Sequence, residues 1–298
     1  AMAVRLLADQ GAIKLENDIS DYVKNLPDYG IKVSINSIIG HTGGMGDYDL
    51  ISTYGYPEDF KAKEGALNLK AISGHPMRIG NEDYLSVSEF HEVVKKLPLV
   101  VEPDTEWRYS NMGYIMLAIL VEEVSGLTLR EYTDKYVFKP LGMDNTFFAD
   151  DAVELIKNRA YGYSKDVDGN YVNDMTNLFV VGDGGLHTTI NDMQKWDAQF
   201  YTPKLGKNPE TFMEEFMLPN SSLPVNPDSG ADIFYANGQG ISKSENGLLV
   251  SHSGGWLGAN IMYRRYPDNQ FMNLVMCSNT SINATNIADE IDKWYFNK

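Results

Sequence analysis

Tyr109 and Asn111 stand two residues apart in the segment EWRYSNMGY (106–114), on either side of Ser110 and just before an apolar run. On an extended turn, side chains two apart point the same way, so a phenol and an amide are presented together. The phenol can relay a proton if neighbouring cations lower its pKa, while the amide holds a substrate carbonyl. The same residues also fit an aromatic packing residue followed by an Asn that caps the coming helix. The second segment is VSHSGGWLG (250–258), a strand ending in His252, Ser253, Gly254 and Gly255. Paired glycines let a substrate backbone approach closely, and a free amide there can serve as an oxyanion donor. In isolation this segment reads equally well as a bulged edge strand.

Other motifs carry less. GDGGLHTT (182–189) is glycine-rich but fits neither the phosphate-loop nor the dinucleotide pattern, and no Lys follows it. It reads as a tight loop feeding a helix. Asp166-Val167-Asp168-Gly169-Asn170 resembles a calcium loop with its Gly misplaced and no closing Glu, so Asp168-Gly169 is expected to be a hairpin turn. The histidines at 41, 75, 91, 187 and 252 never pair at i, i+4 around a Glu, and Cys277 stands alone in the chain. No metal site, internal disulfide or cofactor is therefore expected.

The elements that must position these residues change character along the chain. Residues 1–10 have helical apolar spacing closed by Gly11, and 33–44 read as a short helix ending in glycines. A long polar stretch, 49–83, shows no period and is expected to shape a cleft entrance. Ser86–Lys96 is amphipathic and stopped by Pro98, and Asn111–Ser125 is mostly apolar and ends at Gly126, as a buried central helix does. Further helices are predicted over 128–137, 190–201 and 209–217, the second with a start resembling a capping box from Thr189 to Asp192. After Pro227 the period changes, with β-rich runs at 234–242, 247–252, 259–266 and 271–278 and a closing helix at 284–296. Helices first and an antiparallel meander last argue against a doubly wound parallel sheet. The expected fold class is α/β of the α+β kind, one domain over 1–298. A mainly helical region spans about 33–217, and a sheet with its C-terminal helix spans about 232–298.

Composition narrows the class of function. The 298 residues carry 25 Lys plus Arg against 41 Asp plus Glu, a formal charge of −16. Such a chain repels phosphate backbones, so no nucleic-acid partner is expected. No apolar run approaches the length of a membrane span.

Taken together, the segments resemble the serine β-lactamase and penicillin-binding-protein superfamily, in its class C-like branch. INSIIGHTGGMGDY resembles that branch's HLLTHTSGL block. EPDTEWRYSNMGYIMLAILVEEVSG carries its Tyr-x-Asn motif, and YVFKPLGMDNTFF and GDGGLHTTINDMQKW follow in family order. HSGGWLGANIMYRRYPD stands where the family has its Lys-Thr-Gly strand, with His in place of Lys, as in many esterase and peptidase members. The resemblance implies a β-lactamase/transpeptidase-like fold and an acyl-serine hydrolase acting on an ester, amide or lactam. It gives Tyr109 the proton path, Asn111 the acyl side chain and Gly255 N–H an oxyanion role. His252 is expected beside Tyr109, with Ser253 and Gly254 lining the substrate.

The family's Ser-x-x-Lys belongs just upstream of Ala1, and this sequence does not hold it there. The expectation is a chain cut within its nucleophile helix, inactive as written and short of its first strands, with Phe271–Ser278 left as an exposed sheet edge through which it dimerises. Two alternatives stay open. One is a non-catalytic homologue that binds peptidoglycan-like peptides or a partner. The other is a Ser-His-acid hydrolase using Ser253, although Ser251 occupies the position where a nucleophile elbow needs Gly. By resemblance, the working compartment is the periplasm or the cell exterior.

Overall fold

The computed structural model describes residues 1–51, 86–176, 179–225 and 232–297. Nearly all of the polar stretch at 49–83 lies outside them. In chain order the helices are α1 (Met2–Asp9), α2 (Ile35–Ile39), α3 (Val87–Val94), α4 (Asn111–Ser125), α5 (Leu129–Thr133), α6 (Lys139–Leu141), α7 (Ile190–Ala198), α8 (Pro209–Phe216) and α9 (Ala284–Phe296). The strands are β1 (Phe147–Phe148), β2 (Tyr163–Lys165), β3 (Tyr171–Asn173), β4 (Leu186–His187), β5 (Ile233–Ala236), β6 (Gln239–Ser244), β7 (Gly247–Trp256), β8 (Ala259–Tyr266) and β9 (Phe271–Cys277). Two compact units result: Ala1–Ala152 with Leu178–Val225 and Tyr235–Gly238, and Val153–Asn177 with Asn226–Phe234 and Gln239–Lys298.

The first unit is built around α4. Nine of its residues from Met112 to Val121 are buried, as an all-round apolar helix requires. Ser110 caps it, its hydroxyl accepting from the Gly113 N–H at 2.8 Å and donating to the Gly46 carbonyl at 2.7 Å. Gly126 ends it at φ 70°, a left-handed turn that glycine makes without a Cβ penalty. Helices α1, α2, α3 and α5 pack on it, sharing a core that includes Val4, Leu7, Ile35, Ile39, Phe90, Val94 and Tyr132. The expected helix at 128–137 is present and runs on to Leu141: α5 gives way at Asp134 to one π turn, which continues directly into α6. At α7, Thr189 accepts from the Asp192 N–H, but the Asp192 carboxylate turns to the Asn145 N–H and the Thr146 hydroxyl, so no capping box closes.

In the second unit, β6 to β9 run antiparallel within a five-stranded sheet of order β5-β6-β7-β8-β9. The single strand expected over 234–242 is a hairpin. Asn237 at φ 47° and Gly238 at φ 94° form its two-residue turn, because an Asn-Gly pair adopts the left-handed conformation that such turns need. Helix α9 covers one face of the sheet, where Met262, Val275, Ala284 and Ala288 form a small core. It is also pinned by polar groups. Asp292 accepts from Arg264 at 2.5 Å, from the Tyr266 hydroxyl at 2.8 Å and from the Asn273 amide at 2.8 Å. Phe271, Asn273 and Val275 therefore face α9, whereas Leu274 points to the other face. Strand β9 ends the sheet, paired among the described residues with β8 alone. The Asp168-Gly169 turn holds as expected, joining β2 to β3 with Gly169 at φ 85°.

Candidate active site

The residues picked out in the sequence divide between the units, Tyr109 and Asn111 in the first and His252, Ser253, Gly254 and Gly255 in the second.

In the first unit the segment 107–111 is set by a residue that sequence reasoning left out, His41. It is 2 % exposed and sits at φ 59° in the turn after α2, a left-handed conformation that Asn, Asp and His adopt more readily than other non-glycine residues. Its carbonyl accepts from the Arg108 N–H at 2.8 Å and its Nδ1 from the Ser110 N–H at 3.2 Å. Nδ1 is therefore an acceptor, which fixes the ring as neutral with its proton on Nε2. The ring packs 4.3 Å from Tyr109, 4.5 Å from Tyr235 and 4.9 Å from Tyr114, between centroids. The signal was present in the sequence: a His flanked by Gly40 and Gly43-Gly44, inside a block already singled out.

Asn111 is the first residue of α4, not its cap, which is Ser110. Its amide Nδ2 donates to both carboxylate oxygens of Asp47, at 3.2 and 3.1 Å. A carboxylate only accepts, so Asp47 fixes which end of the Asn111 amide faces it. Burial raises the Asp47 pKa, against hydrogen bonds from Tyr48 and Asn111 that lower it. Beside it, the Tyr48 hydroxyl donates to Asp183 at 2.7 Å, and burial likewise raises the Asp183 pKa.

Tyr109 is 39 % exposed. Among the described residues, the charges that act on it are anionic. Partial burial first, then the charges of Asp47 and Asp183, push the phenol above its ordinary value. Asp47 and Asp183 both favour the protonated phenol.

In the second unit, β7 runs on past His252 to Trp256. Its pairing register assigns the backbone groups of the Ser-Gly-Gly run. Trp256 and Ala259 close the two-residue turn Leu257-Gly258 and form the narrow hydrogen-bonded pair of that hairpin. Alternation then makes Gly255↔Asn260 and Ser253↔Met262 wide pairs with β8, so the N–H groups of Gly255 and Ser253 point away from β8. On that other side the pairing with β6 ends at Gly240, opposite Ser251. Among the described residues the strand thus extends a short edge beyond its ladder with β6, and Gly254 and Gly255 place no side chains of their own along it. His252 lies at its start, with Nδ1 2.6 Å from the Ser253 carbonyl; burial lowers its pKa despite that contact, favouring the neutral ring. Strand β8, not a helix, follows Gly258, so Ser253 does not sit on a nucleophile elbow. Among the described residues no group of three His, Cys, Asp or Glu could hold a metal ion, and no single helix is long and apolar enough to cross a membrane.

The family model described as Beta-lactamase matches residues 1–291. The chain belongs to the Beta-lactamase family. Among curated proteins it is similar to Penicillin-binding protein 4* of Bacillus subtilis (strain 168), 28 % identical over 283 residues that cover 91 % of this chain and 56 % of that protein. It also resembles a putative D-alanyl-D-alanine carboxypeptidase of Escherichia coli (strain K12), 26 % identical over 153 residues, 49 % of this chain and 30 % of that one. The chain thus spans about half the length, or less, of the curated relatives it matches. Among solved structures, the octameric penicillin-binding protein homologue from Pyrococcus abyssi superposes with a TM-score of 0.78 at 23 % identity, covering 100 % of this chain and 63 % of that one. A D-amino acid amidase from Ochrobactrum anthropi SV3 gives 0.67 at 17 %, covering 98 % and 78 %. The fold is the mixed α/β fold of the β-lactamases and transpeptidases that the sequence resemblance implied.

Proposed function

We propose that this chain supplies most of the active site of a serine hydrolase that opens an ester, amide or lactam through an acyl-serine intermediate. The observation that carries the reading is the free edge of β7. A hydrolase of this kind must stabilise a tetrahedral oxyanion, and a backbone N–H held by a sheet needs no reorganisation to do so. Gly255 N–H meets that requirement, being directed off the sheet ladder at a position with no side chain. Tyr109 is the proton carrier. Its raised pKa suits delivery of a proton to a leaving group and works against abstraction; the resemblance gives abstraction from the serine to the Lys of the family's Ser-x-x-Lys motif, acting as its neutral amine. Asn111, oriented by Asp47, contacts the acyl side chain. His252, Ser253 and Gly254 line the substrate along β7, and the neutral His252 offers hydrogen bonding where a Lys would offer a fixed charge. That counts against efficient opening of β-lactam antibiotics, whose carboxylate a fixed cation would hold, and not against esters or D-peptides. The names of the relatives point to D-alanyl peptides, and with them to work in the periplasm or outside the cell.

The test is acylation. The 298-residue chain holds no Ser-x-x-Lys and is expected to take up neither a fluorescent penicillin nor a fluorophosphonate. A version extended upstream to include that motif is expected to be labelled at its Ser, and Tyr109→Phe in it to cut turnover about 100-fold or more with folding unchanged. Stoichiometric labelling of the short chain at Ser253 would overturn the assignment. No label on the extended chain, together with saturable binding of an acyl-D-alanyl peptide, would favour the non-catalytic binder.

A further inference from the structure

The β2–β3 hairpin has no role in the chemistry above, yet its base is locked onto the turn at the end of β7. Three sets of contacts meet there. The Asp174 carboxylate accepts from the Gly258 N–H at 3.0 Å and, through the same oxygen, from the Thr280 hydroxyl at 3.0 Å. The Trp256 indole N–H donates to the Thr176 hydroxyl at 2.9 Å. The two backbones also touch without side chains between them. A Cβ built on Gly258 would lie 2.4 Å from the Gly162 Cα and 2.5 Å from the Asp174 carbonyl oxygen, and one built on Gly162 would lie 2.7 Å from the Gly258 Cα. Both positions therefore need glycine, and Gly258 needs it twice, since its φ is +68°.

The hairpin is itself anchored elsewhere. Tyr163 N–H donates to the Ser278 carbonyl at 3.1 Å, Thr280 N–H donates to the Tyr163 carbonyl at 3.0 Å, and Lys165 N–H donates to the Ser281 hydroxyl at 2.9 Å. It thus bridges the end of β9 to the tip of the β7–β8 hairpin. That tip needs a brace. Beyond Ser251, β7 has β8 on one side and no β6 on the other, and a two-stranded ribbon carrying two adjacent glycines is the least rigid part of a sheet. Only Trp256 and Leu257 separate Gly255 from Gly258.

We infer that Asp174, with the Gly162–Gly258 contact, is a positioning device that fixes the free edge of β7, and hence the direction of the Gly255 N–H. Asp174 touches no reacting atom and acts through the turn. Its use in catalysis rests on the reading of Gly255 as oxyanion donor; the brace itself does not, and its test needs no turnover.

Amide hydrogen exchange of the 298-residue chain reads it directly. Asp174→Ala and Gly162→Ala are expected to speed exchange across Ser253–Ala259 about tenfold or more, since local opening there loses its braces. Amides of α4 and of β6 opposite Leu248–Val250 are expected to stay within twofold of wild type. Asp174→Asn keeps an oxygen acceptor for Gly258 and Thr280 and is expected to restore wild-type exchange. The indole resonance of Trp256, assigned through Trp256→Phe, is expected to shift in Asp174→Ala and to return in Asp174→Asn. Unchanged exchange at Ser253–Ala259 in both disruptive variants overturns the inference. So does a rise shared equally by the whole sheet, which marks general destabilisation, or an Asp174→Asn that behaves like Asp174→Ala. If the brace holds by these measures while Gly255 proves irrelevant to acylation in the extended chain, the functional reading has failed and the positioning has not.

Discussion

Lowering the pH is expected to loosen the packing of α3 on α4 through His91. This residue is 6 % exposed, and its pKa is lowered from 6.5 to about 4, first by burial and then by the nearby Lys95 ammonium. Among the described residues the charged groups acting on it are Lys95 at the end of α3 and Glu92 within it, with Glu122 of α4 beside it. Lys95 is already bound to Glu92 at 3.3 Å and Glu123 at 3.1 Å. Glu122 stands 3.6 Å from His91 Nδ1, too long for a good hydrogen bond, and burial raises its own pKa. Among the described residues His91 Nε2 is buried without a partner, so protonation strands a charge and an N–H. Burial therefore wins over the adjacent carboxylate.

The folded pKa lies below the unfolded one, so the unfolded chain takes up the proton first. Stability is full above pH 6.5 and is lost as pH falls towards 4. For a pKa lowered from 6.5 to about 4 the ceiling is about 3 kcal/mol. Between pH 7.5 and 5 the same linkage gives about 2 kcal/mol, a large share of a typical domain's net stability. Denaturant unfolding at both pH values, for wild type and His91→Gln, checks this. The wild type is expected to lose about 2 kcal/mol more than the variant over that interval. Equal losses, or an NMR titration placing His91 at or above 6.5, would refute the reasoning.

Asp292→Ala is expected to cost about 3 to 5 kcal/mol, because it strands Arg264 and leaves Tyr266 and Asn273 short of an acceptor; Asp289→Ala, at an exposed partner of the same Arg, should cost about 1 kcal/mol or less in the same denaturation assay. Tyr109 is expected to ionise above pH 10 in a carbon-13 tyrosine titration, and Asp47→Asn to bring it down by removing a repelling charge; ionisation at or below 10 would place an unseen cation beside it. The edge strand β9 is expected to make the 298-residue chain self-associate on size exclusion at high concentration, since every second backbone pair there faces outward. Met276→Lys, at a 40 % exposed edge position, should shift it to monomer, and a wild-type chain that is monomeric throughout would remove that surface from consideration.

Local signals sufficed where an element's own residues stabilise it. Asn111–Ser125, Ala259–Tyr266 and Ala284–Phe296 match the structure at or within a residue of their ends, because apolar spacing, caps and turn residues act over a few positions. The Asn237-Gly238 hairpin was legible in the same way and was passed over, since Phe234–Ser242 was read for its β-rich composition and not for the turn inside it. Family membership was also within reach of the sequence, as an ordered set of short motifs. The two-residue strands β1 and β4 were not, because so short a strand exists only through the partner that pairs with it, and β2 and β3 were legible only through the Asp168-Gly169 turn between them. Tertiary structure alone decided what surrounds Tyr109. Sequence put Asp47 and Asp183 far from it and gave no charge to expect, and the direction of its pKa follows from burial and through-space repulsion. It also decided that Asp47 orients Asn111 across 64 positions, that His41 seats the segment bearing both, and that Asp174 reaches across 84 to hold the turn after Gly255. Chemistry-bearing residue types are local facts that one sequence displays; their protonation, orientation and rigidity are set by neighbours that only folding brings together.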